Sequence, residues 1–292
     1  MKKFSIKFKT LAAVLAVLTL LVGMVSLTGC KKVEDKKTTD GVTTVKIGFV
    51  LFPPVTTKLD DGTYTGVDIE ALKKADELLP QYTFEFVEFG EQNAVFAALE
   101  SGKIDIATTN SFYTEQRAEK YLIPKENLGM NIEGVFVNTK YPGIKTLEDA
   151  ADAKLKFAPM LPGDGNHYIM TEFNRKNPDK AIEIPLTDNN NVFMDQFSLI
   201  ATGQYDFGIG PKQYYELLVL NEDGPLHQYA ANLYFEEFGS VRTWPILQKG
   251  AQKLADDLDG ALKQLKDDGT LSALSVQFIG YDTWAFKGDN VY

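Results

Sequence analysis

The sequence predicts an α/β fold in which parallel sheets are flanked by helices, in two lobes. Two observations carry this. Short β-rich runs alternate with helix-period segments over most of the chain, and 44% of the 292 residues are hydrophobic, enough for one large or two medium cores.

The elements follow in order. Val45–Val50 is β-rich, and Asp60-Asp61-Gly62 reads as a turn. Ile69, Leu72, Ala75, Leu78 and Leu79 recur at helical spacing until Pro80 stops the helix. Tyr82–Val87 alternates like a strand, Ala94–Leu99 is a helix with Gly102 beyond it, and Ile104–Ala107 is a short buried strand. The β–α–β order resumes at Thr146–Ala153, where Thr146 and Asp149 have the spacing of a capping box. A strand at Leu155–Ala158, a helix after Asn166, a strand at Ile182–Ile184, a helix at Val192–Thr202 and a strand at Tyr205–Ile209 come next. Leu254, Leu258, Ala261, Leu262 and Leu265 define a long amphipathic helix closed by Gly269.

The N-terminus has the layout of an export signal. Lys2, Lys3, Lys7 and Lys9 precede an apolar run from Leu11 to Val25, too short for a permanent span. It ends in Leu27-Thr28-Gly29-Cys30, which resembles the lipobox of bacterial lipoproteins and implies cleavage after residue 29 and a diacylglycerol on Cys30. Residues 30–44, polar and Lys-rich at first, read as a flexible tether. The formal charge is −10, and removing residues 1–29 takes four Lys and no acid, leaving −14. That surplus argues against a nucleic-acid partner. A single Cys excludes internal disulfides, and no zinc, metalloprotease or phosphate-loop motif occurs, so neither a metal nor a cofactor is expected. His167 and His227, the only two His, read as surface or packing residues.

Three further stretches point to a family. Asp61-Gly62-Thr63-Tyr64-Thr65-Gly66-Val67-Asp68-Ile69-Glu70, then Ala98-Leu99-Glu100-Ser101-Gly102-Lys103-Ile104-Asp105-Ile106, then Thr114-Glu115-Gln116-Arg117 resemble the polar amino-acid substrate-binding proteins of ABC importers. Residues 261–271 look like that family's closing helix and turn. The resemblance implies a periplasmic-binding-protein-like clamp: lobe 1 from 45–137 and 237–292, lobe 2 from 138–236, with crossings near Val137–Thr139 and Phe235–Gly239. It also implies an extracytoplasmic protein, lipid-anchored to the outer face of the membrane in a Gram-positive-type envelope, monomeric, that hands a small amino acid to ABC permease subunits.

Residue by residue, the resemblance makes Arg117, three after Thr114, the clamp for the ligand α-carboxylate, which suits a planar guanidinium. Read alone, Arg117 is a solvated residue on the first turn of a short helix. Phe52, before Pro53-Pro54, becomes an aromatic wall, and Thr109 and Asn110 offer hydrogen bonds at a strand end. Asp164, Gly165 and Asn166 open a helix whose free N–H groups suit an anion. Where many members hold the ligand ammonium with an Asp, this chain has Gly210-Pro211 after the Gly203-Gln204-Tyr205-Asp206 strand. The ammonium partner is therefore unassigned, with Asp164 and Asp188 as candidates. That departure, with Leu79-Pro80-Gln81-Tyr82 and Asn110, looks closest to binders of cystine and other sulfur-containing amino acids. The rival class is a secreted enzyme on the same clamp, such as a cyclohexadienyl dehydratase, for which Asp164 or Glu133 would have to supply an acid.

Overall fold

The computed structural model describes residues 38–39, 41–189 and 192–286. Cys30, the export signal and most of the tether lie outside these residues.

β1 (Thr38–Thr39) pairs antiparallel with the start of β2 (Val42–Val50), so the sheet begins within the stretch read as tether. After the small hairpin of β3 (Thr57–Lys58) and β4 (Tyr64–Thr65) comes α1 (Val67–Glu77), which turns Ile69, Leu72 and Ala75 inward at helical spacing. β5 (Tyr82–Phe89), α2 (Gln92–Glu100) and β6 (Ile106–Ser111) complete two parallel pairings onto β2. α3 (Glu115–Lys120) follows, its N–H at Arg117 capped by the Thr114 hydroxyl at 3.1 Å.

β7 (Gly129–Asn138) leads into α4 (Leu147–Asp152), which carries the expected capping box between Thr146 and Asp149. α5 (Gly165–Lys176), α6 (Val192–Ala201), β8 (Phe207–Pro211) and the short α7 (Lys212–Tyr215) follow. The fifteen-residue β9 (Leu233–Leu247) pairs antiparallel with β7 over Leu233–Thr243 and with β6 over Trp244–Leu247. α8 (Gln252–Asp267) and α9 (Thr270–Ile279) close the described chain; α8 buries Leu254, Leu258, Leu262 and Leu265 on one face, each contributing roughly 1.5–3 kcal/mol.

The sheet is mixed, in the order β1-β2-β6-β9-β7-β8 with β5 on β2, where parallel sheets were expected. The antiparallel part comes from β7 and β9, for which the sequence gives little sign. Two expected strands are absent. At Leu155–Ala158 only one bridge forms, Phe157 to Phe207, because Pro159 has no N–H to continue a ladder. At Ile182–Ile184 the Asn174 side chain takes both the N–H and the carbonyl of Ile182, and Pro185 follows, so the backbone pairs with an amide instead of a strand.

The apolar interior falls into sets on either side of β7 and β9. Val45, Ile47, Leu72, Leu128 and Leu262 pack together, whereas Val135, Val137, Ile169, Phe207 and Val241 form another set. β7 thus passes from one set to the other between Leu128 and Val135, and β9 passes back between Val241 and Leu247. Between them the β7–β9 register shifts at Glu133/Gly134, a bulge that bends the strand and re-aims the side chain there.

Candidate ligand-binding site

α3 and the N-terminus of α5 face a cavity of about 570 Å³ whose lining includes Phe96, Arg117, Tyr121, Asp164 and Asp188. That size suits a small organic molecule. Arg117 is held by its own neighbourhood: one guanidinium nitrogen donates to the Phe112 carbonyl at 2.7 Å, and Cζ stands 5.9 Å from the Phe96 ring centroid. Among the described residues no other group accepts from this guanidinium, so most of its fork is uncommitted. Burial lowers its pKa from the ordinary arginine range, and the charge of nearby Asp164 works against that shift.

Asp164 is the N-cap of α5, accepting the His167 N–H at 2.7 Å. Burial raises its pKa, while the His167 N–H and charge and then Arg117 oppose the rise. Arg117 and Asp164 feel one another but form no ion pair among the described residues, so a cation and an anion face the same cavity with their partners unmade. A zwitterion has the complementary charges.

Gly165 sits against Phe112: a Cβ on Gly165 would lie 2.0 Å from the Phe112 ring, so only hydrogen lets α5 approach the residue that positions Arg117. Asn166 is buried, and its Oδ1 has no hydrogen-bond partner. Phe52 is half-buried and meets the Tyr214 ring with centroids 4.4 Å apart; Tyr214 in turn stacks on Phe193 at 4.9 Å. Thr109 and Asn110 lie just before the end of β6, the Thr109 hydroxyl sharing a 2.8 Å hydrogen bond with Ser111 and Asn110 holding φ +52°, an uncommon conformation for a residue with a side chain. Of the sequence-derived candidates, Arg117, Asp164 and Asp188 line the cavity; Phe52, Thr109, Asn110, Gly165 and Asn166 do not.

Asp68 and Glu133 are buried acids that do not line the cavity. Asp68 of α1 is 3% exposed and accepts the Thr108 hydroxyl at 2.7 Å; burial pushes its pKa up to about 6, against that hydrogen bond. Glu133 of β7 is 0% exposed, and neither carboxylate oxygen has a hydrogen-bond partner. Burial and then the charge of Asp164 push it up to about 8, opposed by the nearby Asn131 amide, which makes no hydrogen bond to it. The Tyr214 hydroxyl is likewise buried without a partner, its pKa raised well above the usual phenol range by burial and then by Glu133 and Asp68. Among the described residues no group of three or more His, Cys, Asp or Glu is placed to hold a metal, and no helix is long and apolar enough to cross a membrane.

Residues 45–281 match the bacterial extracellular solute-binding proteins, family 3. The chain belongs to this family. An L-cystine-binding protein of Bacillus subtilis, TcyJ, is 27% identical over 278 residues, covering 94% of this chain and 96% of the relative. The amino-acid-binding protein AabA of Dichelobacter nodosus is 27% identical over 225 residues, covering 76% of this chain and 82% of its own. Among solved structures, the probable amino-acid ABC transporter extracellular-binding protein ytmK of Bacillus subtilis superposes with a TM-score of 0.67 at 23% identity, covering 82% of this chain and 98% of that one. This family 3 protein therefore shares their α/β fold, with a mixed sheet flanked by helices.

Proposed function

We propose that this family 3 protein captures an extracellular amino acid, with cystine or another neutral, sulfur-containing amino acid preferred, and delivers it to the permease subunits of an ABC importer. The observation that carries this is the cation–anion pair of Arg117 and Asp164, both facing one cavity and not paired with each other. Arg117 takes the α-carboxylate by a charge-assisted fork. Phe52, Thr109, Asn110, Gly165 and Asn166, which do not line this cavity, are brought to the ligand when the lobes close. Names of relatives agree with this class.

Closure is a hinge motion in this reading. Lobe 1 comprises 45–137 and 237–292 and lobe 2 comprises 138–236, joined by β7 and β9, whose passages between the apolar sets flank the Glu133/Gly134 bulge. The mature chain is a monomer held at the membrane by lipid on Cys30, after cleavage of residues 1–29 and through the tether 30–44. It turns over no substrate. A carboxyl held protonated near neutral pH is also what a dehydratase needs as its acid, so Glu133 makes the enzyme reading worth a direct test. Incubation with prephenate and arogenate, followed by chromatography, is expected to return both unchanged, while L-cystine gives saturable heat in calorimetry. Product formation overturns the binding reading.

A further inference from the structure

The two helices that line the cavity face it in step. α2 turns Phe96 and Glu100 toward it and α3 turns Arg117 and Lys120 toward it, so each helix contributes two side chains one turn apart, about 5–6 Å. The turns meet as two rungs. On the inner rung the Arg117 guanidinium stands over the Phe96 ring, Cζ 5.9 Å from its centroid, and Asp164 shares the cavity with it. On the outer rung Lys120 and Glu100 form an ion pair at 2.6 Å, their side chains 57% and 44% exposed. Tyr121 spans the two: its ring lies 5.4 Å from that of Phe96, and its hydroxyl donates to Glu100 at 2.6 Å. The cavity therefore carries two cation–anion couples, Arg117 with Asp164 and Lys120 with Glu100, and aromatic surface from Phe96 and Tyr121 between them. Asp188, the remaining charged residue of the lining, is exposed. An ion pair as exposed as the outer one adds little to folding, and it needs only one of the three protons on the Lys120 ammonium.

We propose that Lys120 and Glu100 receive a second zwitterionic end of the ligand, so that this site selects amino acids with two such ends on a short uncharged bridge over amino acids with one. This rests on the amino-acid reading above and replaces a preference for sulfur by a requirement for two ends. The spacing supports it. Two amino-acid ends joined through a disulfide hold their α-carbons about 5.5–6 Å apart, so a first end at Arg117 and Asp164 puts the second one helical turn outward, at Lys120 and Glu100. The bridge then lies along Phe96 and Tyr121, where apolar or sulfur atoms are well accommodated. Lys120 and Glu100 are specificity-determining residues in this account, and the first end is held without them.

The probes are L-cystine, 2,7-diaminosuberic acid, which keeps both ends on an all-carbon bridge of the same length, and S-(methylthio)-L-cysteine, which keeps the disulfide and loses one end. Calorimetry on wild type at pH 7 is expected to show the two-ended probes bound about tenfold or more tighter than the one-ended one. The double variant Glu100→Gln/Lys120→Met is expected to shrink that advantage at least about fivefold while holding the one-ended probe within about twofold of wild type. A merely structural role for the pair would move all three affinities together. In wild type the advantage is expected to fall as salt rises from about 0.05 to about 0.5 M, because the outer couple is exposed, a readout that needs no variant to fold. Equal binding of one-ended and two-ended probes to wild type, diaminosuberic acid no tighter than the one-ended probe, or an undiminished advantage in the folded double variant overturns the role of Lys120 and Glu100 while the amino-acid reading stands. Failure of wild type to bind these probes or any other amino acid overturns both.

Discussion

Replacing Arg117 tests the carboxylate clamp, and the structure sets the size of the effect. The guanidinium makes one hydrogen bond within the described residues, to the Phe112 carbonyl, and a cation–π contact with Phe96. These contribute roughly 1.5–3 and 0.5–1 kcal/mol. The cost of keeping a cation partly out of water, visible in its lowered pKa, offsets much of that. Arg117→Ala should therefore change the stability of the empty protein by no more than about 2 kcal/mol. Binding is different, because a ligand carboxylate in the same cavity then loses its buried guanidinium; Lys120, which also lines the cavity, is held by Glu100 at 2.6 Å. Truncating one partner of a desolvated charge pair costs roughly 2–5 kcal/mol, a weakening of about 30- to 4,000-fold. Arg117→Lys keeps the charge but loses the planar fork, and an intermediate loss of about tenfold is expected. Calorimetry with L-cystine, run beside circular-dichroism melting, checks all three proteins. Affinity of Arg117→Ala within threefold of wild type, in a protein that still melts cooperatively, would refute the clamp.

Thr108→Val removes the one side-chain hydrogen bond to buried Asp68 and should destabilise the protein by about 1.5–3 kcal/mol at pH 8. The Asp68 pKa is raised, so its contribution to stability is full below the unfolded value and is lost as pH rises through about 6; the gap between Thr108→Val and wild type should open over that range in thermal melts. Glu133 acts in the same direction at higher pH: its raised pKa costs the empty protein stability between the ordinary Glu range and about pH 8, so melting of Glu133→Gln should gain on wild type from pH 5 to pH 9, and parallel curves would contradict the burial argument. Gly165→Ala pushes a methyl into the Phe112 ring and is expected to cost about 1–3 kcal/mol and to weaken cystine binding through Arg117; an unshifted melting point would mean that the ring is free to move.

The helices were legible because their burial is periodic: α1 and α8 turn inward the same Leu and Ala positions that the spacing marks. β7 and β9 were not. β7 is buried along almost its whole length and shows no alternation, and β9 contains Gly239 and Pro245, which read as breaks although the strand runs through both. Phe157 and Ile182 had strand-like composition, but Pro159 and the Asn174 side chain decided their backbone pairing. At the site, Arg117 and Asp164 line the cavity, but it is the family resemblance that singles them out; by itself Arg117 reads as a solvated residue on a short helix. The neighbourhood of Glu133 and Pro211 could not be read, since it depends on strand register between residues 78 positions apart. A lone acid in the apolar run Ile132–Val137 was the only local sign of it.

Capture of an amino acid is tested most directly by a thermal-shift series over the proteinogenic amino acids and L-cystine, on ligand-free refolded protein at pH 7. A ligand at 100 times its dissociation constant stabilises by about 2.7 kcal/mol, well within detection. The expected result is the largest shift with cystine or another neutral, sulfur-containing amino acid, and smaller shifts with Glu, Asp, Arg and Lys. Tighter binding of Glu or Arg than of every neutral and sulfur-containing amino acid would contradict the assigned ligand class, and no shift with any of them would contradict amino-acid capture itself.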